Sequence, residues 1–326
     1  MTNCPWLSVI IPTYNGQHVL PAALSGIEAQ AERDFEVIVI DDDSTDGTKD
    51  ILKAFSERTK LPLTIVDHGH TGNWVANSNH GLSLARGDWA CFLHQDDGWA
   101  PDRLATLKNH IDGHPQAGFF LHPSWYVDRR GRRLGLWSCP LPATEVTSET
   151  MCERLLVQNF ISMPAPLFRR SVALKVGGLD ASLWYTADWD FWLKLARQGN
   201  VVYIASPLSF FGLHSESQTI RRSTDLIEFQ DQLTRVFERH FKEWKFSPSR
   251  GQALRKLGEF SIAFNSALAG WLKGIKPDYL LLFRQFLSMG PRGWHYYLRD
   301  SRIFERVMAR LRAGMASNLS ARQVDQ

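Results

Sequence analysis

Short apolar runs alternate with stretches of helical periodicity through the first third of the chain. The runs Leu7–Ile11, Glu36–Ile40, Leu63–Val66 and Trp89–Leu93 predict strands. Each is followed by a helical pattern: from about Val19, across Asp50–Phe55, around Val75–Ala85, and from Pro101. The runs are mostly continuous rather than alternating, as in strands covered on both faces. Strand, helix, strand, helix predicts an α/β fold with a mostly parallel sheet and helices on both sides. Residues 122–150 are richer in turn residues and carry the basic pairs Arg129-Arg130 and Arg132-Arg133, which reads as a loop or hairpin excursion near the sheet's edge. A strand is predicted at Val201–Ile204, and from Asp225 onward the pattern is helical, without repeats. The expected division is an α/β domain over residues 1–222, with halves of about 1–121 and 122–222, and a helical extension over 223–326.

Polar residues gather where the strands end. The run Val37–Ile40 passes directly into Asp41, Asp42 and Asp43, after which Ser44, Thr45, Asp46, Gly47 and Thr48 turn the chain into a helix. Pro12-Thr13-Tyr14-Asn15 ends the first strand, and Gln95-Asp96-Asp97 follows the fourth. Open α/β sheets bind ligands at the carboxyl ends of their strands, so these segments predict one polar rim. The bland alternative is helix capping by solvated acids. A GxGxxG turn and a P-loop are both absent. A bound diphosphate would need another counter-charge, and a divalent metal held by carboxylates supplies one.

Composition narrows the class. With 326 residues, 44% apolar and 22% charged, the chain is expected to be a soluble globular protein. Cys4, Cys91, Cys139 and Cys152 form no CxxC pair, which favours neither zinc nor a disulfide framework and predicts a reducing compartment. No run approaches the roughly 18 apolar residues of a membrane span, and no signal-peptide pattern precedes the first strand, so a cytoplasmic location is expected. The net charge of +3 hides an asymmetry: residues 221–326 hold 19 Lys and Arg against 10 Asp and Glu. An acidic body with a basic tail argues against a nucleic-acid binder. In that tail Ile303, Val307 and Leu311, with Phe304, Met308 and Met315, form an apolar stripe, while Arg302, Arg306 and Arg310 lie off it. Two readings are open: peripheral contact with the inner face of an anionic plasma membrane, helped by Trp294, Tyr296 and Tyr297, or packing on the body or in a homodimer.

The ordered set of motifs resembles the family 2 glycosyltransferases of GT-A fold, whose sheet is Rossmann-like. The resemblance covers roughly residues 6–220. It is carried by Ser8–Asn15, Asp41–Thr48, Asn73–Leu82, Phe92–Asp97, Pro101–Leu104, Gly177–Asp180, Ala187–Trp192 and His214. It implies transfer of a sugar from a nucleotide sugar to an acceptor hydroxyl, with inversion and with Mn²⁺ or Mg²⁺. Bacterial cell-surface polysaccharide or glycolipid synthesis is the implied setting, with a glycan or lipid-linked acceptor. Asp42 matches the residue that accepts from the N3–H of a base, which suits a UDP or dTDP donor. Pro12, Thr13, Tyr14 and Asn15 would pack on the nucleoside, with Asn73 and Asn79 near the nucleotide and Ser78 standing in for an expected Arg.

The same resemblance matches Asp96 and Asp97 to a DxD-type metal site in which His94 replaces the first acid. Asp97 is the expected ligand, with Asp96 toward the ribose or a bound water. His214 would join the metal shell or hold the diphosphate. Arg221 and Arg222 would close over it as a lid, or form a solvated basic turn. Asp188 matches the catalytic base, with Ala187 in place of the usual Glu and Asp190 as the rival. Trp184 and Trp189 would stack on an acceptor sugar or belong to the core. The competing readings are a catalytically inactive accessory subunit, supported by the lost acids at 94 and 187, and a nucleotidyltransferase, which expects a glycine-rich basic loop that Pro12–Gly16 lacks.

Overall fold

A computed structural model describes residues 4–213, 225–271, 273–309 and 311–312. The first half contains β1 (Leu7–Thr13), α1 (Leu20–Glu28), β2 (Phe35–Asp41), α2 (Thr48–Arg58), β3 (Leu63–Asp67), α3 (Trp74–Leu84), β4 (Trp89–Phe92), β5 (Gly98–Trp99) and α4 (Arg103–Gly113). Alternate side chains of the central strands enter two cores. Val9, Ile11, Val37 and Val39 meet α1, α2 and α4 on one face, while Ile10, Ile38 and Ile40 meet α3 on the other. Each fully buried aliphatic side chain contributes about 1.5–3 kcal/mol, which is why a continuous apolar run selects a central position. The edge strand β3 is half exposed instead.

The chain continues through β6 (Phe119–Leu121), β7 (Ser124–Val127), β8 (Arg133–Trp137), β9 (Glu145–Val146), α5 (Ser148–Val157), β10 (Leu167–Arg169), α6 (Arg170–Lys175), α7 (Ala187–Ala196), β11 (Val201–Tyr203) and β12 (Ser209–Gly212). The main sheet has the order β3-β2-β1-β4-β10-β6-β11-β9, with β10 and β9 antiparallel to their neighbours. Strand order reverses at β1, so the crevice beyond β1 and β4 is a switch point of the kind that binds ligands. The excursion at 122–150 does contain a hairpin, β7–β8, but it pairs with β12 in a second sheet of order β5-β12-β7-β8, and only β9 reaches the edge of the main one. β10 was invisible to periodicity because three residues cannot display a period.

The helical C-terminal region comprises α8 (Leu226–Glu243), α9 (Pro248–Trp271) and α10 (Tyr279–Ser301), the last broken at Gly290, where φ is 65°, just before Pro291. Val236, Phe237 and Ile262 share the core of Trp189 and Trp192 and so complete the α5–α7 face, while Leu254, Leu257, Phe260 and Tyr297 form a further cluster with Val157 of α5. Residues 303–309 are helical again and lie against the β7–β8 hairpin, with Ala309 buried beside Tyr126 and Leu134. The tail stripe is thereby split: Ile303 faces inward, whereas Phe304, Met308 and Leu311 face out. Arg310 and Met315 lie outside the described residues. Tyr297 is core and Trp294 stacks on Phe286, so neither is a free interfacial aromatic. Among the described residues no helix is long and apolar enough to cross a membrane.

One ionic cluster joins α7 to α8. Asp190 is fully buried and meets Arg239 Nη1 at 2.8 Å, His240 Nε2 at 2.9 Å and Lys194 Nζ at 2.7 Å. Burial opposes its ionisation, but the bonds from His240 and Lys194 prevail and hold its pKa down at about 2. A carboxylate with a lowered pKa stabilises the fold above its unfolded value and loses that contribution as pH falls toward 2. Replacing it takes the shared anion from the half-buried Arg239 and Lys194 and leaves buried His240 without its acceptor, so Asp190→Ala is expected to cost about 2–4 kcal/mol in chemical denaturation at neutral pH. A cost under about 1 kcal/mol would show that the cluster is not what ties α8 to α7.

Candidate active site

The ends of β1, β2 and β4 converge as their polar residues suggested. Asn15 takes a left-handed conformation (φ 48°) and ties two loops together: its N–H donates to Ser44 Oγ at 2.9 Å and its Oδ1 accepts from Thr45 N–H at 2.8 Å. Gln95 clamps the first loop to the third, accepting from Tyr14 N–H at 2.9 Å and donating to Tyr14 O at 3.1 Å, with the Thr13 hydroxyl on the same Oε1. Pro12 and Thr13 are the last residues of β1, paired with Ile40 and Asp41.

Asp42 is buried rather than solvated. Its Oδ1 accepts from the N–H and hydroxyl of Thr71, both at 2.7 Å, and its Oδ2 from Gly72 N–H at 2.9 Å. His70 Nδ1 lies 3.2 Å from Oδ2, and the His70 ring sits 4.7 Å from that of Tyr14. Burial works against its charge, but hydrogen bonds from Asn77, Thr71 and Gly72 outweigh it and keep the carboxyl below its ordinary value. Asp42 is therefore ionised and faces an aromatic pair at the mouth of the switch point.

His94, Asp96 and Asp97 each offer a ligand atom within 4.8 Å of the others. His94 Nε2 is buried without a hydrogen-bond partner, and burial lowers its pKa, leaving a neutral imidazole. Burial, then the neighbouring Asp96, pushes the Asp97 carboxyl well above its usual range, opposed by one bond from Gly212 N–H at 3.1 Å. A neutral imidazole beside two crowded carboxylates is a donor set that fits Mn²⁺ or Mg²⁺. Gly212 is needed here because a Cβ would stand 2.2 Å from Asp96 O. The chain leaving β12 therefore starts toward 213 from beside the acids. His214, Arg221 and Arg222 lie outside the described residues.

The α7 side of the site is joined through α3. Trp74 packs edge-on against His94, with ring centroids 5.1 Å apart, and its Nε1–H donates to Trp184 O at 3.2 Å. Asn73 caps α3 by accepting from Val75 and Ala76 N–H groups. Asn79 spends both ends of its amide on Leu179, at 2.8 and 2.9 Å. Both asparagines thus position backbone, and the 178–184 segment is strung along α3 ahead of α7.

Asp188 and Asp190 share the first turn of α7 in opposite states. Asp188 lies in a poorly solvated site, with no cation against it among the described residues. Burial raises its pKa to about 6, although Trp189 N–H and Asn159 Nδ2, each at 2.8 Å, favour the ionised form. Trp189 is buried, its Nε1–H donating to Leu155 O at 2.8 Å, whereas Trp184 is half-buried. Asn159 is braced in turn: Gln158 accepts from Asn265 Nδ2 at 2.8 Å and Ser261 Oγ at 3.2 Å, both on α9. The sequence gives no sign of the parts that His70, Trp74 and Asn159 play, because each acts through a partner distant in sequence.

Residues 8–173 match the family model described as Glycosyl transferase family 2. The chain belongs to that family. This family 2 glycosyltransferase is 27% identical over 239 residues to an uncharacterized glycosyltransferase of Haemophilus influenzae, an alignment covering 72% of this chain and 77% of that one. Among solved structures it resembles S. aureus TarS 1-349 in complex with UDP-GlcNAc, with a TM-score of 0.66 at 19% identity over 97% of this chain and 91% of that one. It also resembles the mannosyltransferase PcManGT from Pyrobaculum calidifontis in complex with GDP-Man and Mn²⁺, with a TM-score of 0.55 at 19% identity over 96% and 88% of the two chains. The sheet, its switch point and the acid loops described above are the GT-A arrangement.

Because the Asp188 pKa is raised, the fold bears a cost that grows as pH climbs from the unfolded value, 3.8, through about 6. Asp188→Asn removes the buried charge and is expected to stabilise the protein by about 1–3 kcal/mol at about pH 8, with little change at about pH 4. Asn159→Ala should raise the Asp188 pKa further, read as a displaced carboxyl titration in carbon-13 NMR. A titration left where it was would remove Asn159 from the site.

Proposed function

We propose that the protein transfers a sugar from a nucleoside diphosphate donor to an acceptor hydroxyl with inversion, and that Asp188 is the base. The observation that carries this reading is the contrast within α7: Asp190 is locked in ion pairs, whereas Asp188 meets no cation among the described residues and has a pKa of about 6. A base ionised just above that value can take a proton at neutral pH. The acceptor O–H proton passes to the Asp188 carboxylate as the acceptor oxygen bonds to the anomeric carbon. The bond from that carbon to the diphosphate breaks on the opposite face, and the sugar inverts. Asn159 holds the carboxylate in one orientation, and the buried α7 core behind it limits competition from water.

The donor half of the reading rests on the β1, β2 and β4 ends. Tyr14 would stack on the base, and Asp42 would accept its N3–H as the exposed His70 ring yields, which favours UDP or dTDP. Pro12, Thr13 and Asn15 would line the nucleoside, and Asp96 would face the ribose side. His94, Asp96 and Asp97 would hold Mn²⁺ or Mg²⁺, with His214 as a further ligand. Such a metal neutralises charge on the departing diphosphate, a task in which Arg221 and Arg222 would assist. Trp184, with a partly exposed ring, is the better platform for an acceptor sugar than buried Trp189. In this reading residues 1–222 are catalytic, and 223–326 brace the acceptor half while meeting a membrane surface or a second subunit. The setting is cytoplasmic synthesis of a bacterial surface polysaccharide or glycolipid.

Calorimetry with UDP, dTDP, GDP and ADP, in Mn²⁺ and then in EDTA, tests the donor half. Metal-dependent binding of a pyrimidine diphosphate is expected, weakened roughly tenfold or more in His94→Ala. Equal binding in EDTA would sink the metal site. For the base, Asp188→Asn should keep nucleotide affinity while turnover of the sugar form of that nucleotide falls by about 10²–10⁴. Turnover at the wild-type rate would retire Asp188.

A further inference from the structure

Between Trp271 and Arg292 the chain folds into the tip of a helical hairpin that is apolar on both sides. On the inner side Leu282, Phe286 and Met289 pack against Phe260 and Tyr297. On the outer side Trp271, Ile275, Tyr279, Leu280 and Phe283 are 53–64% exposed, and Leu287 is 49% exposed. They are contiguous by construction. Backbone bonds from Ile275 N–H to Gly270 O and from Gly274 N–H to Trp271 O fold the end of α9 back on itself. Leu280, Phe283 and Leu287 then follow at helical spacing along α10. A helix apolar all round is normally covered on all sides, and exposed apolar groups in contiguity mark a contact surface.

Charge identifies what covers it. Lys273, Lys276, Arg284 and Arg292 lie exposed in this segment, against the single acid Asp278, which is spent capping α10 through Leu281 N–H at 2.9 Å. None of these four cations is ion-paired among the described residues. We propose that this hairpin tip docks on an anionic lipid surface, its apolar side chains entering the headgroup boundary while the lysines and arginines meet lipid phosphates. Trp271 and Tyr279 suit that boundary, where an apolar ring and a polar edge are both satisfied. A two-fold contact between copies would instead bring two sets of unneutralised cations together. The docking surface differs from the stripe at 303–311, whose Ile303 and Ala309 are buried on the body.

Co-sedimentation of the full chain with vesicles of mixed phosphatidylglycerol and phosphatidylethanolamine, against phosphatidylcholine alone, tests it. Binding is expected to the anionic vesicles and to fall with added salt. Lys273→Gln with Lys276→Gln should weaken it roughly 30-fold. Leu280→Gln with Phe283→Gln should abolish it without lowering Tm, since both side chains are already exposed. The proposal is overturned if the wild-type chain ignores anionic vesicles or if both double variants bind as it does. It is equally overturned if sedimentation velocity shows a dimer that Leu280→Gln with Phe283→Gln returns to monomer while vesicles are ignored. Vesicle binding is independent of sugar transfer, so failure of one leaves the other untouched.

Discussion

Two carboxylates in the first turn of α7 are held in opposite electrostatic states, and much of the molecule is arranged around that difference. Asp190 points into a dry interior, where the cations of Arg239 and Lys194 and a hydrogen bond from His240 make its charge tolerable. Those groups come from α7 itself and from α8, so the first C-terminal helix supplies two of the three partners of this charge among the described residues. Asp188 turns the other way, toward Asn159, and receives hydrogen bonds without a counter-charge. One helix therefore carries a structural anion and a titratable acid two residues apart. The separation of their pKa values is a property of what surrounds them.

The opposite rim obeys a related constraint. Parallel strands end with backbone and side-chain polar groups that must be satisfied or left to a ligand. Asn15, Gln95 and Thr71 satisfy many of them and pull the three loops into one body. What they leave is informative: an ionised Asp42 under an aromatic pair, and a neutral imidazole with no partner next to two crowded acids. His94 adds a nitrogen donor to the oxygens of Asp96 and Asp97, so the acid loop offers three donor groups. Trp74 and Asn79 then hold the 178–184 segment against α3, which sets the distance from the acid loops to the start of α7.

The C-terminal helices divide their labour by face. Inward, Val236, Phe237 and Ile262 extend the core, and Asn265 and Ser261 brace Gln158 beside Asn159. Outward, the α9–α10 tip keeps apolar and basic groups that the fold itself does not use. On the reading proposed above, one region thus braces the side that carries Asp188 and also presents the lipid-docking tip.

By itself the sequence determined the first four strands of the sheet with their intervening helices, and which polar segments end those strands. Burial on both faces writes itself into continuous apolar runs, and loop chemistry sits next to the strand that positions it. The family was legible for the same reason, since its motifs are local and keep their order. The antiparallel β10 and the second sheet were not legible, being short and paired with segments far along the chain. Which acid of α7 is ion-paired was decided only by tertiary structure, because the α8 partners of Asp190, Arg239 and His240, arrive from about fifty residues away. The same holds for His70 over Tyr14, Trp74 against His94 and Asn159 on Asp188. A charge's meaning depends on solvation and neighbours, and neither is encoded in the residues beside it.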